Sequence, residues 1–256
     1  EISTYTITAA AYAATPAFTG LERGISGTDM AISGAYAAWH STGNYWNTKA
    51  VMLTVRNTLA AATVGGKIYA LGGHNGASAI NTNEEYDPAA NLWTTKTQMP
   101  TARYQLAAAA AGGKIYALGG VGATTTNEEY DPAANAWTAK AAMPTGRYAL
   151  DAAEVGEKIY ALGGFSGSNS NKNEEYNPAT NTWATKAAMP TVRYSLAATV
   201  IRGKIYAIGG TAAATINVNE EYDPSLDSWV TKAVMPTLRY AMSAAAVGGK
   251  MYAIGG

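Results

Sequence analysis

Five arginines, Arg56, Arg103, Arg147, Arg193 and Arg239, recur at intervals of 44 to 47 residues. A guanidinium group holds a carboxylate through paired hydrogen bonds and stays charged at any pH a protein meets. Two uses fit such a set. The arginines face outward to receive an acidic ligand, or they turn inward and pair with a strand carboxylate such as Glu84, Glu128, Glu174 or Glu220. The cost of burying an unpaired charge favours the inward use. Each of those glutamates is followed by another: Glu85, Glu129, Glu175 and Glu221. Adjacent strand residues point to opposite faces, so no such pair makes one acid–base site. Asp151 breaks the repeat, because Ala60, Ala107, Ala197 and Ser243 stand at its position in the other units. A carboxylate among small side chains needs hydrogen bonds or an open channel beside it. That makes Asp151 the candidate for a specific site. Glu154 lies beside Gly156-Glu157 and reads as solvated.

Other chemistries find little material. His40 and His74 are isolated in sequence, and no alternating run of acids suits calcium. With no cysteine in the chain, thiol nucleophiles, disulfides and Cys-ligated metals are excluded. The Gly-Gly pairs recur as punctuation and do not form a phosphate loop. No cofactor is expected. Lys plus Arg equals Asp plus Glu at 18 each, so no basic excess points to nucleic acid. No apolar run is long enough for a membrane span. The chain starts at Glu1 and not Met, and reads as processed or trimmed there. Asn- and Thr-rich loops with a low charged fraction suit an exported or surface protein of a prokaryote.

The elements that position these residues repeat with the arginines. Lys-Ile-Tyr-Ala-Leu-Gly-Gly at 67–73 returns at 114–120 and 158–164, and in altered form at 204–210 and 250–256. Trp46, Trp93, Trp137, Trp183 and Trp229 keep the same phase, as do Met52, Met99, Met143, Met189 and Met235. A period in the mid-forties means one supersecondary unit copied in an array. In the unit 103–146, the Ala-rich run 107–111 ends at Gly112-Gly113, a hairpin turn. Lys114–Leu118 then alternates, with Ile115 and Ala117 on one face and Tyr116 and Leu118 on the other. Glu128–Tyr130 reads as a third strand stopped by Asp131-Pro132, and Trp137–Met143 as a fourth. Four short strands cannot bury their apolar faces alone, so neighbours must stack radially, with the tryptophans as blade-to-blade core.

Gly119-Gly120, Tyr130-Asp131-Pro132, Asn135 with Trp137, Met143-Pro144 and Arg147 together resemble the kelch repeat. The resemblance is close over 56–256 and implies an all-β propeller of four-stranded blades. Units 56–102, 103–146, 147–192 and 193–238 are clear, 239–256 is a half unit, and 1–55 is a degenerate first unit. Counting 10–27 as an inner strand pair gives six blades closed by both termini, within a single domain of 1–256. Leaving 1–27 out of the array gives five.

The resemblance also implies that the loops after Gly-Gly and the arginine-bearing turns share one mouth of the central channel. Those loops, 74–83, 121–127, 165–173 and 211–219, differ in length and in their first residues: His74-Asn75, Val121, Phe165 and Thr211. Tyr104, Tyr148, Tyr194 and Tyr240 each follow an arginine. The candidate binding set is therefore the five arginines, these four tyrosines, His74, Asn75, Phe165 and Asp151. The function expected is a non-catalytic, monomeric binding module for a protein segment or a glycan. A metal-free enzyme resembling the kelch-fold sialic acid epimerases, and a repeat protein with no ligand, are the alternatives.

Overall fold

A computed structural model describes residues 28–33, 36–41, 47–122 and 124–256. The chain divides into two compact units, Glu1–Lys49 and Ala50–Gly256. In the first, β1 (Thr28–Ser33) and β2 (Tyr36–Ser41) form an antiparallel hairpin. The inner pair expected at 10–27, on which the count of six blades depends, lies outside the described residues, as does Trp46.

The second unit holds four blades, each a four-stranded antiparallel meander. They are β3 to β6 (Ala60–Val64, Lys67–Leu71, Asn83–Asp87, Leu92–Lys96) and β7 to β10 (Ala107–Ala111, Lys114–Leu118, Asn127–Asp131, Ala136–Ala139). Then come β11 to β14 (Asp151–Val155, Lys158–Leu162, Asn173–Asn177, Thr182–Thr185) and β15 to β18 (Ala197–Ile201, Lys204–Ile208, Asn219–Asp223, Ser228–Thr231). A two-stranded sheet of β19 (Ser243–Val247) and β20 (Lys250–Ile254) follows.

The first strands, β3, β7, β11, β15 and β19, lie beside one another in succession. Alanine is a weak strand former. It serves in Ala107–Ala111 because these strands converge, and alternate alanines are buried against the neighbours. The second strands carry the core in both directions. Ile115, Ala117 and Tyr130 pack on Tyr69 and Leu71 of the preceding blade. Tyr116 and Leu118 pack on Ile159, Ala161 and Tyr176 of the following one. The alternation expected over Lys114–Leu118 is thus realised with both faces buried.

Two expectations need correction. The fourth strand ends at Ala139, well before Met143, because the chain must leave the outer edge and cross to the next inner strand. On the way Met143 N–H donates to the Thr125 carbonyl at 2.8 Å and Arg147 N–H to that of Thr124 at 2.9 Å. Trp93, Trp137, Trp183 and Trp229 are only partly buried, whereas Tyr130, Tyr176 and Tyr222 are fully buried. Trp137 lies across Tyr130 with ring centroids 5.0 Å apart and works as a clasp. Its Nε1–H donates to the Thr97 carbonyl of the preceding blade at 2.8 Å, while the Asn135 Oδ1 accepts Thr97 N–H at 3.0 Å. Trp183 with Asn181 grips Ala141 in the same way.

Candidate binding face at the channel mouth

Arg103, Arg147 and Arg193 have no solvent-exposed surface. Their Nη2 atoms lie 2.7 Å from Glu128, 2.7 Å from Glu174 and 2.8 Å from Glu220, and Arg56 lies 2.9 Å from Glu84. Each of these glutamates also accepts a threonine hydroxyl, as Glu174 does from Thr145 at 2.6 Å. Arg147 donates further to the carbonyls of Gly163 and Ala161, tying the crossing segment to the second and third strands of its blade. Burial lowers the Arg147 pKa, and the charge of Glu174 opposes that shift. Gly72 shows how tightly the carbonyls are set: a Cβ there would stand 2.5 Å from the Arg103 carbonyl, and its φ is +61°. Arg239 differs. Its Nη1 donates to the Gly255 carbonyl at 2.8 Å and its Nε to Thr237, with no carboxylate partner among the described residues.

The second glutamate of each pair serves the opposite face. Glu129 accepts from Tyr116 at 2.6 Å and is bridged by Lys114 at 2.9 Å and Lys140 at 3.0 Å. Burial pushes this carboxyl up, but the hydrogen bonds from Tyr116, Lys114 and Lys140 outweigh it and hold the pKa below the usual range. Glu85, Glu175 and Glu221 repeat the arrangement and the direction.

At the mouth, a feature with no sequence signal appears. Thr58, Gln105, Ala149, Ser195 and Ala241 all adopt φ between 50° and 53°. Their main chains link blade to blade: Gln105 N–H to Thr58 O at 2.8 Å, Ala149 to Gln105 at 2.8 Å, Ser195 to Ala149 at 2.7 Å and Ala241 to Ser195 at 2.9 Å. Unlike side chains share one conformation because it is fixed by neighbouring blades, which is why the sequence is silent about it.

Just outside this belt stand the aromatic candidates. Tyr104, Tyr148 and Tyr194 are half-buried and bridge by main chain to Val121, Phe165 and Thr211. Phe165 lies 5.4 Å from Tyr148 and 5.7 Å from Tyr194, centroid to centroid, and His74 meets Tyr104 edge-on at 5.2 Å. Asn75 is exposed, but its Oδ1 accepts Ala77 and Ser78 N–H within its own turn. Tyr240 is half exposed. The structure therefore pairs His74 with Tyr104 and joins Tyr148, Phe165 and Tyr194, and turns Arg56, Arg103, Arg147 and Arg193 inward.

Asp151 sits inside the mouth. It lines a cavity of about 320 Å³ together with residues of all five first strands. Its Oδ1 accepts Ala152 N–H at 2.8 Å, and its Oδ2 accepts Ala198 N–H of the next blade at 2.7 Å. Burial pushes its pKa up to about 6, against these two hydrogen bonds, which lower it. Among the described residues no group of three or more His, Asp and Glu side chains is placed to hold a metal ion.

The kelch motif model matches residues 56–100, 102–144, 146–190 and 193–236. The chain belongs to the kelch-repeat family. No curated protein sequence matches it. Among 298 matching solved chains, a number that shows how widely this fold is shared, is the structure of YjhT. It superposes with a TM-score of 0.72 at 14% identity, covering 90% of this chain and 83% of that one. At that identity the likeness is one of fold. The paired arginines and glutamates and the stacked tyrosines and tryptophans recur from blade to blade as architecture, whereas Asp151 and the loop residues differ between the blades of this chain.

Proposed function

We propose that this kelch propeller is a non-catalytic binding module whose aromatic mouth receives a protein segment. The carrying observation is the division of labour at the mouth. Buried arginines and glutamates are committed to one another, while Tyr104, Tyr148, Phe165 and Tyr194 remain half-buried on loops that differ between blades. Rigid aromatics with a polar tip lose little entropy on binding and are favoured at interfaces. Binding residues commonly ride on loops held by a stiff scaffold. Kelch repeats often bind proteins, which supports a protein partner over a glycan. A metal-free enzyme would need a free arginine at this mouth, and the ion pairs of Arg103, Arg147 and Arg193 commit the arginines of those three blades. The test is a screen of displayed peptides and of a glycan array against the wild type and against Tyr148→Ala with Phe165→Ala. A peptide signal lost in the double variant with unchanged melting temperature supports the reading. A glycan signal, or peptide signals indifferent to both substitutions, overturns it. We also propose that residues 1–256 form one domain of six blades.

A further inference from the structure

We propose that the head of the central channel is a binding site for a primary alkylammonium group, with Asp151 as its counter-charge. The site stands apart from the aromatic rim and does not require the rim to bind anything.

Among the described residues Asp151 is the one ionisable side chain lining the cavity; the rest of the wall from β3, β7, β11, β15 and β19 carries alanines, Ser243 and apolar residues. No Lys, Arg or His forms an ion pair with it among the described residues. Its two oxygens each accept one amide N–H, which leaves lone-pair capacity on both. A partly buried carboxylate with no cation beside it is unusual, since charges withdrawn from water are normally paired.

The surroundings select the partner. Leu59, Leu106, Leu150, Leu196 and Met242 line the same cavity from the residue before each first strand. Their side chains pack down into the blades, Leu106 beside Gly72, Leu150 beside Gly119 and Leu196 beside Gly163, so the wall they leave toward the channel is main chain. Deeper in, Ala61, Ala108, Ala152, Ala198 and Ala244 line it at one register position. Ala152 and Ala198 direct their N–H groups to Asp151, so this position faces the channel with its main chain, as the unpaired edge of a strand must. The carbonyl groups of the same residues supply acceptors. An ammonium has three donors and no acceptor, so it can meet the carboxylate and two carbonyls at once. A divalent metal would have a single carboxylate ligand here, which is poor ligation for a hard cation. An anion would meet the charge of Asp151.

The experiment titrates n-butylamine into the full 256-residue chain by calorimetry near neutral to mildly alkaline pH, with 1-butanol as the neutral isostere. Butylammonium is expected to bind about tenfold or more tightly than butanol. Asp151→Ala and Asp151→Asn should each lower butylammonium affinity about tenfold or more while leaving the melting temperature undiminished. Alanine is what Ala60, Ala107 and Ala197 already supply at this position, so that variant keeps the fold. Saturating amine should also lower the Asp151 carboxyl pKa seen by carbon NMR. Equal binding of butanol, equal affinity in both variants, or an unmoved Asp151 titration each overturns the proposal. A lysine-containing peptide that binds more tightly than butylamine assigns the group to a protein segment. Weaker peptide binding assigns it to a free amine.

Discussion

Arg147 is a full charge held inside a blade by Glu174 and by main-chain carbonyls. Removing one partner of such a pair leaves the other buried and unpaired. Arg147→Ala should therefore cost about 3–5 kcal/mol in urea unfolding. Arg147→Lys should recover little, because an ammonium cannot reproduce the planar fork. If Arg147→Ala keeps full stability and loses only ligand affinity, the inward reading is wrong. Asp151 makes a prediction of opposite sign in pH. Its folded pKa of about 6 lies above the ordinary aspartate value of 3.8, so the protonated form is the one folding favours. Its contribution is fully present below the unfolded value and is lost as pH rises through about 6. Asp151→Ala should gain on the wild type between those limits, by about 3 kcal/mol at neutral pH in the absence of ligand. A constant difference across that window would contradict it. Both residues were legible as types: Arg147 by its period and Asp151 by departing from it. Which way each side chain points was not, since direction depends on neighbouring strands.

The elements hold one another through a few specific contacts. Trp137 clasps the preceding blade by its ring and by the bond to Thr97. Trp137→Phe should lose about 1 kcal/mol, the usual worth of one hydrogen bond. Trp137→Ala should lose about 2–4 kcal/mol, somewhat below a fully buried tryptophan; thermal unfolding of the pair separates the two contributions. The belt residue Ala149 has φ 50°, where a side chain carries strain. Ala149→Gly should be neutral or raise stability by up to about 1 kcal/mol, whereas glycine inside a regular strand lowers it. The first three strands of each blade could be read from alternation and Gly-Gly turns. The early end of the fourth could not, because Ala141 to Met143 leave the ladder only to reach the next blade.

Across the whole molecule, stability is shared among blades whose faces complete one another, as between Tyr69 and Tyr130. Four glutamates on the third strands are held below the usual range, so their contribution is present above the unfolded carboxylate value and is lost as pH falls through the folded one. Glu129→Gln should make unfolding less sensitive to acid, measured as the melting temperature of variant and wild type on descending pH. For the six-bladed domain, deletion of 1–27 should lower the melting temperature and the cooperativity of unfolding; an unchanged, single transition would remove those residues from the array. The period and strand pattern determined an all-β repeat array, because short sheets with apolar faces have to stack to leave water, and the resemblance of its motifs to the kelch repeat implied the propeller. Only the tertiary structure decided that Arg56, Arg103, Arg147 and Arg193 turn inward and that a belt of left-handed residues links the mouth. It alone set Asp151 in a shared cavity, because each of these depends on what an adjacent blade offers and no single repeat contains that information.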